Sequence, residues 1–466
     1  MRPTASTFAG VLWWARIAAA VVCAGLTGCE TLSVSPDTSS SRTLAPAEAD
    51  NATLQSEFGA SMASRARDGR AYQFAWTRIA ASPDTRRIYL SSFAGDDSND
   101  CRSEQSACRT PRRAIAQLRN GFPDHLLVRR GDVFEGPLAT AWALSGRSAQ
   151  EPIVIATYGT PAARPRFRAG HQNGFVTSPY AAVRHVRVMD MHFHAHKRDP
   201  ADAGFDTAYA PETPTGVLIL ALIHPVEDVL IEGCEVSFFG SGVVVHNARD
   251  VHLANVRLRA NNIHDSWRIW GGPLQQGYSQ GVFASGVDGL LLEQNVIEHN
   301  GGLYNYPGDL RHGVPAGLER RHVTVTWFNH QVYADSPNRN VRMIGNIIAN
   351  GDGAQLRSGG VAEFNLFVRA IQSLTGGDDD DLAESGGYAF SVRHNMFLEG
   401  TDFPPESATP GPRAVGVRLT NVSPAGAQVT DNTFLRDITT VRLNGPRHAK
   451  ERALAWPSGR FCLVPT

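Results

Sequence analysis

Lysine is almost absent. The chain has 466 residues and 44 basic side chains, and only Lys197 and Lys450 among them are lysines. Schiff-base or general-base chemistry at a lysine is therefore confined in practice to Lys197. Positive charge rests on arginine, whose planar fork suits bidentate recognition of carboxylates. Net charge is also absent, at −1, so there is no bulk attraction to nucleic acid. Long apolar runs are missing too: the stretch from Ile17 to Leu26 is too short for a permanent bilayer-spanning helix. A hydrophobic content of 42% supplies a large core, and the length favours an elongated repeat structure over one compact globule.

The short apolar run follows Arg2 and Arg16 and leads into Leu26-Thr-Gly-Cys29, the arrangement of an export signal. It resembles a bacterial lipobox. The resemblance implies a signal peptide over residues 1–28, cleavage before Cys29 and lipidation of its thiol, and Glu30 in the next position leans towards the outer membrane. An ordinary signal peptide cleaved elsewhere is the alternative. Residues 29–85 are rich in Ser, Ala, Thr and Asp and read as a tether with an N-terminal extension. Cys101 and Cys108 flank a short polar loop and, in an exported chain, are expected to form a disulfide. Cys234 is expected as a buried thiol, and its pairing with Cys462 has no support.

What recurs is a phrase of apolar strand, polar break and second apolar strand. It is seen in Val229-Leu-Ile-Glu-Gly-Cys-Glu-Val, Leu290-Leu-Leu-Glu-Gln-Asn-Val-Ile, Val341-Arg-Met-Ile-Gly-Asn-Ile-Ile, Val361-Ala-Glu-Phe-Asn-Leu-Phe, Val392-Arg-His-Asn-Met-Phe and Val429-Thr-Asp-Asn-Thr-Phe. Such repeats stack, so each residue's neighbour lies one repeat away. The Asn is expected at a corner, in left-handed backbone, bonded to the Asn of the next coil. Irregular spacing places inserted loops at 197–216, 301–321, 376–387 and 401–413. Upstream, Thr110-Pro111 reads as a capped helix start, with Ala114, Ile115 and Leu118 on one face and an end near Asn120-Gly121.

The opening from Ile88-Tyr-Leu-Ser-Ser through Thr110-Pro-Arg-Arg-Ala-Ile to Leu126-Leu-Val-Arg-Arg-Gly-Asp resembles the start of pectate-lyase-like proteins. That resemblance extends to about Leu443. It implies an all-β, single-stranded right-handed parallel β-helix over residues 86–445, capped by an N-terminal helix and followed by a tail at 446–466. The stretch from Ser279 to Phe367 is similar to a group of secreted bacterial β-helix proteins classed by fold with polysaccharide lyases and hydrolases. Polysaccharide is the partner this implies.

Strand alternation registers the coils. Aligning Gly281-Val-Phe-Ala-Ser, Gln331-Val-Tyr-Ala-Asp and Gly353-Ala-Gln-Leu-Arg puts Val282, Val332 and Ala354 in one inward column and Ala284, Ala334 and Leu356 in another. Phe283, Tyr333 and Gln355 then stack outward, as do Ser285, Asp335 and Arg357. Val244 and His246 extend these outer columns, and His330 stands at the entry corner beside Tyr333. A slip by one residue would bury Tyr, Asp and Arg at high cost.

Eliminative cleavage of a uronate polymer needs a carboxylate neutraliser, a base and an acid. Arg357, His330 and Tyr333 suit these roles in turn, with His246, Phe283, Asp335 and Gln355 holding sugar or orienting the catalytic groups. The plainer alternative is an Asp335–Arg357 surface ion pair with Tyr333 stacked on Phe283. Hydrolysis needs two carboxylates, and no second one registers with Asp335.

Three histidines, His192, His194 and His196, share one side of a strand, aligned with Glu235 and Ser237 on a different face; a solvated strand surface is expected there rather than a metal site. No metal-ligand set is assigned. The run Asp378 to Asp381, with Asp379 and Asp380 between, offers oxygen ligands for calcium, against a solvated acidic loop. The sequence thus points to a monomeric, lipid-anchored envelope protein acting on acidic polysaccharide as a lyase. A non-catalytic glycan-binding or structural β-helix is the alternative.

Overall fold

A computed structural model describes residues 76–206, 213–249, 251–270, 278–377, 388–409, 414–435 and 439–443. The chain divides after Arg78. Only 76–78 of the first unit are described, so the signal, Cys29 and most of the tether lie outside the described residues, as do Asp378–Asp381 and Cys462.

The second unit is a right-handed parallel β-helix. Its strands run from Arg87–Leu90 to Thr439–Leu443. Eleven strands make one sheet, and 19 make a second in which two faces share the long strand Ile347–Leu356. Each strand pairs in parallel with the equivalent strand one coil away, as in Val229↔Val256 and Val256↔Leu290. The chain thus winds through three faces per coil: the eleven-stranded sheet, a face of short strands such as Glu235–Ser237, and a face that includes His330–Ala334.

Register follows the alternation of apolar residues. Val282, Val332 and Ala354 pair in sequence and are buried, as are Ala284, Ala334 and Leu356. On the short-strand face, phenylalanines stack along the interior at both ends. Phe134 and Phe167 lie 4.8 Å apart between ring centroids, and Phe397 and Phe434 4.7 Å. Gly242 and Gly281 begin two coils because a Cβ at either would sit 2.5 Å from the next coil's backbone oxygen.

The Asn corner is built differently from expectation. Asn261, Asn295, Asn346, Asn365, Asn395 and Asn432 form a buried ladder, each side-chain amide donating to the Oδ1 of the next at 2.9–3.0 Å. The left-handed residue is the one before each Asn: Ala260, Gln294, Gly345, Phe364, His394 and Asp431. That residue turns the chain, and the Asn side chain then replaces the ladder bonds that the turn has lost. Cys234 ends the row, its N–H donating to Asn261 Oδ1 at 2.9 Å. Burial pushes its thiol up to about 12.

The helix is shorter than expected, Pro111–Ile115, with Thr110 accepting from the Arg113 amide. Ala114 and Leu118 are nevertheless buried in the core and Ile115 packs against it, so the apolar face continues through the turn beyond the helix. Cys101 and Cys108 are joined by a disulfide with Cα atoms 5.0 Å apart.

Replacing Asn346 by Ala removes an acceptor from both the amide N–H and the side chain of Asn295, and a donor from Leu292 O. We expect a loss of about 2–4 kcal/mol, read as a Tm several degrees lower. An unchanged Tm would show that the ladder is not stabilising.

On the eleven-stranded sheet, Asp228 Oδ2 is met by Arg187 at 2.7 Å and by His185 at 2.8 Å, and its Oδ1 by Arg257 at 2.9 Å. Burial raises its carboxyl, but these bonds outweigh burial and hold it below the usual range. Its contribution to stability is therefore full above the unfolded pKa of about 4 and is lost as pH falls through the lower folded value. The Tm gap between the wild type and Asp228→Asn should narrow on acidification below about pH 4; a gap that widened would contradict this.

Candidate functional site

The third face carries an open groove of 830 Å³. Its floor is the outward column anticipated from alternation: Phe283 pairs with Tyr333, and Tyr333 with Gln355. The Phe283 and Tyr333 rings stack at 5.7 Å and 12°. Arg357 reaches back one coil and donates from Nη1 to the Tyr333 hydroxyl at 2.7 Å. His330 stacks on Tyr333 at 5.3 Å, and its Nδ1 lies 2.9 Å from Asp352 Oδ2. Asp352 is fully buried, and its other oxygen accepts from the amides of Gly353 and Gln372. The His330 imidazole thus lies against a buried carboxylate at ion-pair distance.

Asp335 accepts from Ser285 Oγ at 3.1 Å and lines the groove with Gln355. His246 pairs with Ser285 as expected and packs on Phe283 at 6.1 Å, but it stands outside the groove lining. Burial lowers its pKa, partly offset by Asp335. Among the site residues read from sequence, His330, Tyr333, Arg357, Phe283, Asp335 and Gln355 therefore converge and His246 does not.

The groove adds residues that no repeat alignment identified. Arg268 and Arg418 join Arg357, so three guanidiniums face one lining carboxylate, Asp335, among the described residues. Burial alone brings the Arg268 guanidinium down to about 10. Aromatic rings form one wall: Trp270 stacks on Phe328 at 5.6 Å, and Tyr278 packs on the same ring at 5.2 Å. Tyr278, Trp327 and Phe328 remain substantially exposed. Arg268 and the aromatic residues lie outside the repeat strands, where periodicity gives no register, whereas Arg418 continues the outward column after Gln355 and Thr375. Asp352 is a second carboxylate close to the site, but it is buried beside His330 and does not line the groove, so among the described residues Asp335 has no carboxylate partner there.

The three-histidine strand is corrected. His192 pairs with Glu235 and His194 with Ser237, as aligned, but His192, His194 and His196 are all buried rather than solvated. His192 Nε2 bonds Ser237 Oγ at 3.1 Å and His194 Nε2 bonds Asp199 at 3.1 Å. The chain from His196 onward folds over this face instead of leaving it open, and burial pulls His192 down to about 3.

Beside it lies a polar cluster that the sequence reading missed: His264, Asp265, His299, Asp309, Arg311 and His312. Burial opposes charge on His264, but Asp265 and Glu235 outweigh it and raise its pKa to about 10. A signal was available. Asn262-Ile-His-Asp and Val296-Ile-Glu-His fall at the same place in consecutive coils, just after the Asn corner.

No family model and no curated protein matches the chain. Among solved structures, it is similar to an alginate lyase from Paenibacillus sp. (12% identity over 81% of this chain and 97% of that one, TM-score 0.37). It is also similar to a GH136 lacto-N-biosidase from Eubacterium ramulus (13%, covering 89% and 71%, TM-score 0.36) and to a pectate lyase (13%, covering 70% and 78%, TM-score 0.36). These are similarities of fold.

Proposed function

We propose that the protein acts on acidic polysaccharide, cleaving a uronate-containing chain by β-elimination in the arginine-lined groove. The observation that carries this reading is the charge balance of the groove, three guanidiniums to one carboxylate among the described residues, in a chain whose net charge is −1. Exposed aromatic rings along one wall suit the apolar faces of sugar rings.

The roles follow from chemistry. A guanidinium pairs with the uronate carboxylate and stabilises negative charge as the adjacent carbon loses its proton. His330 takes that proton. The released electron pair forms the C4=C5 double bond, and the C4–O bond breaks. Tyr333 gives its phenolic proton to the departing oxygen. Asp352 then faces the imidazolium and Arg357 the phenolate, so each new charge meets an opposite one already in place. The proton returns from His330 to Tyr333 through water, to close the cycle.

The chain is further proposed to be tethered to the cell envelope, in the outer membrane, by lipid on Cys29. Substitution of Cys29 by Ser should release it from the membrane fraction.

Tyr333→Phe should lower kcat on the order of 10²-fold or more while the polymer is still bound, and Arg357→Ala should lower kcat/KM by about 10²–10³-fold. Both are read by the ultraviolet absorbance of the new double bond, with calcium present and absent. Wild-type protein that binds uronate polymers but yields no unsaturated product from any of them would support a non-catalytic glycan-binding role. Binding that does not weaken with added salt would remove the electrostatic basis of both readings.

A further inference from the structure

The geometry points to a divalent transition-metal site, of zinc-like chemistry, formed by Asp265, His299 and His312. The site lies on the short-strand face, apart from the groove, and stands whatever the groove does.

The fold itself brings the three donors together. In successive coils the short strand ends in a left-handed residue: Phe238, Asp265, His299, Asn350, Arg369 and Glu399 occupy equivalent corners. Left-handed backbone is thus the rule at this corner and carries no meaning of its own. What differs is chemistry. Two consecutive corners hold an acid and an imidazole, stacked one coil apart, and the loop after Gly301 folds back to add His312. The donor atoms of these three residues all lie within 4.8 Å of one another. Asp265 Oδ1 is 2.7 Å from His299 Nδ1 and 2.9 Å from His312 Nε2.

Three observations favour a cation over a hydrogen-bonded network. The first is the state of His299, which is 1% exposed. Its Nε2 bonds Asp309 Oδ2 at 2.8 Å. Asp309 thus holds the ring with Nδ1 turned towards the inside of the cluster. That Nδ1 is buried, makes no hydrogen bond of acceptable geometry, and points at a carboxylate oxygen. A metal ion would engage that buried nitrogen and the facing carboxylate oxygen together. The second is the division of labour on Asp265. Oδ2 is engaged by His264 Nδ1 at 2.7 Å and Arg311 Nη2 at 3.1 Å, so Oδ1 alone faces the two imidazoles. Asp309 behind one ligand, and His264 and Arg311 behind another, are the outer-shell partners that hold metal ligands in place.

The third is charge. Asp265, Asp309, Glu235 and Glu298 crowd this region. The guanidiniums in contact with them are Arg311, and Arg164, which is shared with Asp190. Four carboxylates here meet two guanidiniums, and a cation would offset the excess of acid.

Two nitrogens and one oxygen select a borderline metal and disfavour calcium or magnesium. Metal–donor bonds of about 2.0–2.2 Å require the donors to part by a few tenths of an ångström. His312 belongs to a loop and can yield. Three protein donors leave a fourth position for water. Bound metal would pin this loop against the solenoid, and the same segment runs on through Trp327 and Phe328 to His330, so it would also steady the groove wall.

The test uses the full chain, purified and treated with chelator, then titrated with Zn²⁺ and separately with Co²⁺. We expect about one equivalent of tight Zn²⁺, a rise in Tm on its addition, the visible d–d absorption of ligated Co²⁺, and no comparable Tm rise with Ca²⁺. His312→Ala, at the most accessible ligand, should keep the wild-type circular dichroism and lose at least about 100-fold in Zn²⁺ affinity. His299→Gln should lose the Co²⁺ spectrum. His246→Ala, distant from the cluster, should bind as wild type does. Absence of Zn²⁺ binding and of Co²⁺ absorption in the wild-type protein would overturn the proposal, as would undiminished affinity in a folded His312→Ala variant.

Discussion

Every surface of this protein depends on the coil-to-coil hydrogen bond. Parallel pairing fixes neighbouring strands roughly 4.8 Å apart, and the buried Asn row prevents one coil from slipping against the next. Each Asn in that row bonds both the amide and the side chain of its neighbour, as Asn346 does for Asn295. A shift by one residue would break those bonds and turn Tyr333 and Gln355 inward while exposing Val332 and Ala354. Register is therefore held by polar bonds at the corner and by apolar burial along the strands, and the two agree.

Function sits where that rule is relaxed. On the groove face, rigid strands present Phe283, Tyr333 and Gln355 at fixed spacing, while segments outside the repeat add Arg268, Tyr278 and Phe328. The rigid floor fixes the geometry of His330 and Arg357 around one phenol. The inserted segments supply charge and ring surface. The short-strand face follows the same logic with a different result: stacked corners supply Asp265 and His299, and an insertion supplies His312. A solenoid makes columns, and any column can become a site once a loop closes over it.

Two expectations failed for instructive reasons. The histidines from His192 to His196 align as the repeat requires, yet they are buried, because alternation reports which side of a sheet a residue occupies and not what lies above it. The Asn corner is real, but the left-handed conformation belongs to the preceding residue, which includes Phe364 and His394, types that sequence preference would not select. Conformation there is imposed by the coil, and the Asn is needed for its amide group.

The sequence by itself determined the solenoid, the inward and outward columns, the disulfide and the placing of Tyr333 and Arg357 on one outer face, because period-two alternation and a repeated corner suffice to set register. The tertiary structure alone decided what the insertions do. It brought Arg268 and the aromatic wall into the groove, covered the histidine strand and carried His312 to Asp265. Insertions have no period, so their contacts depend on packing against a finished scaffold, and no local pattern in the chain encodes where they will land.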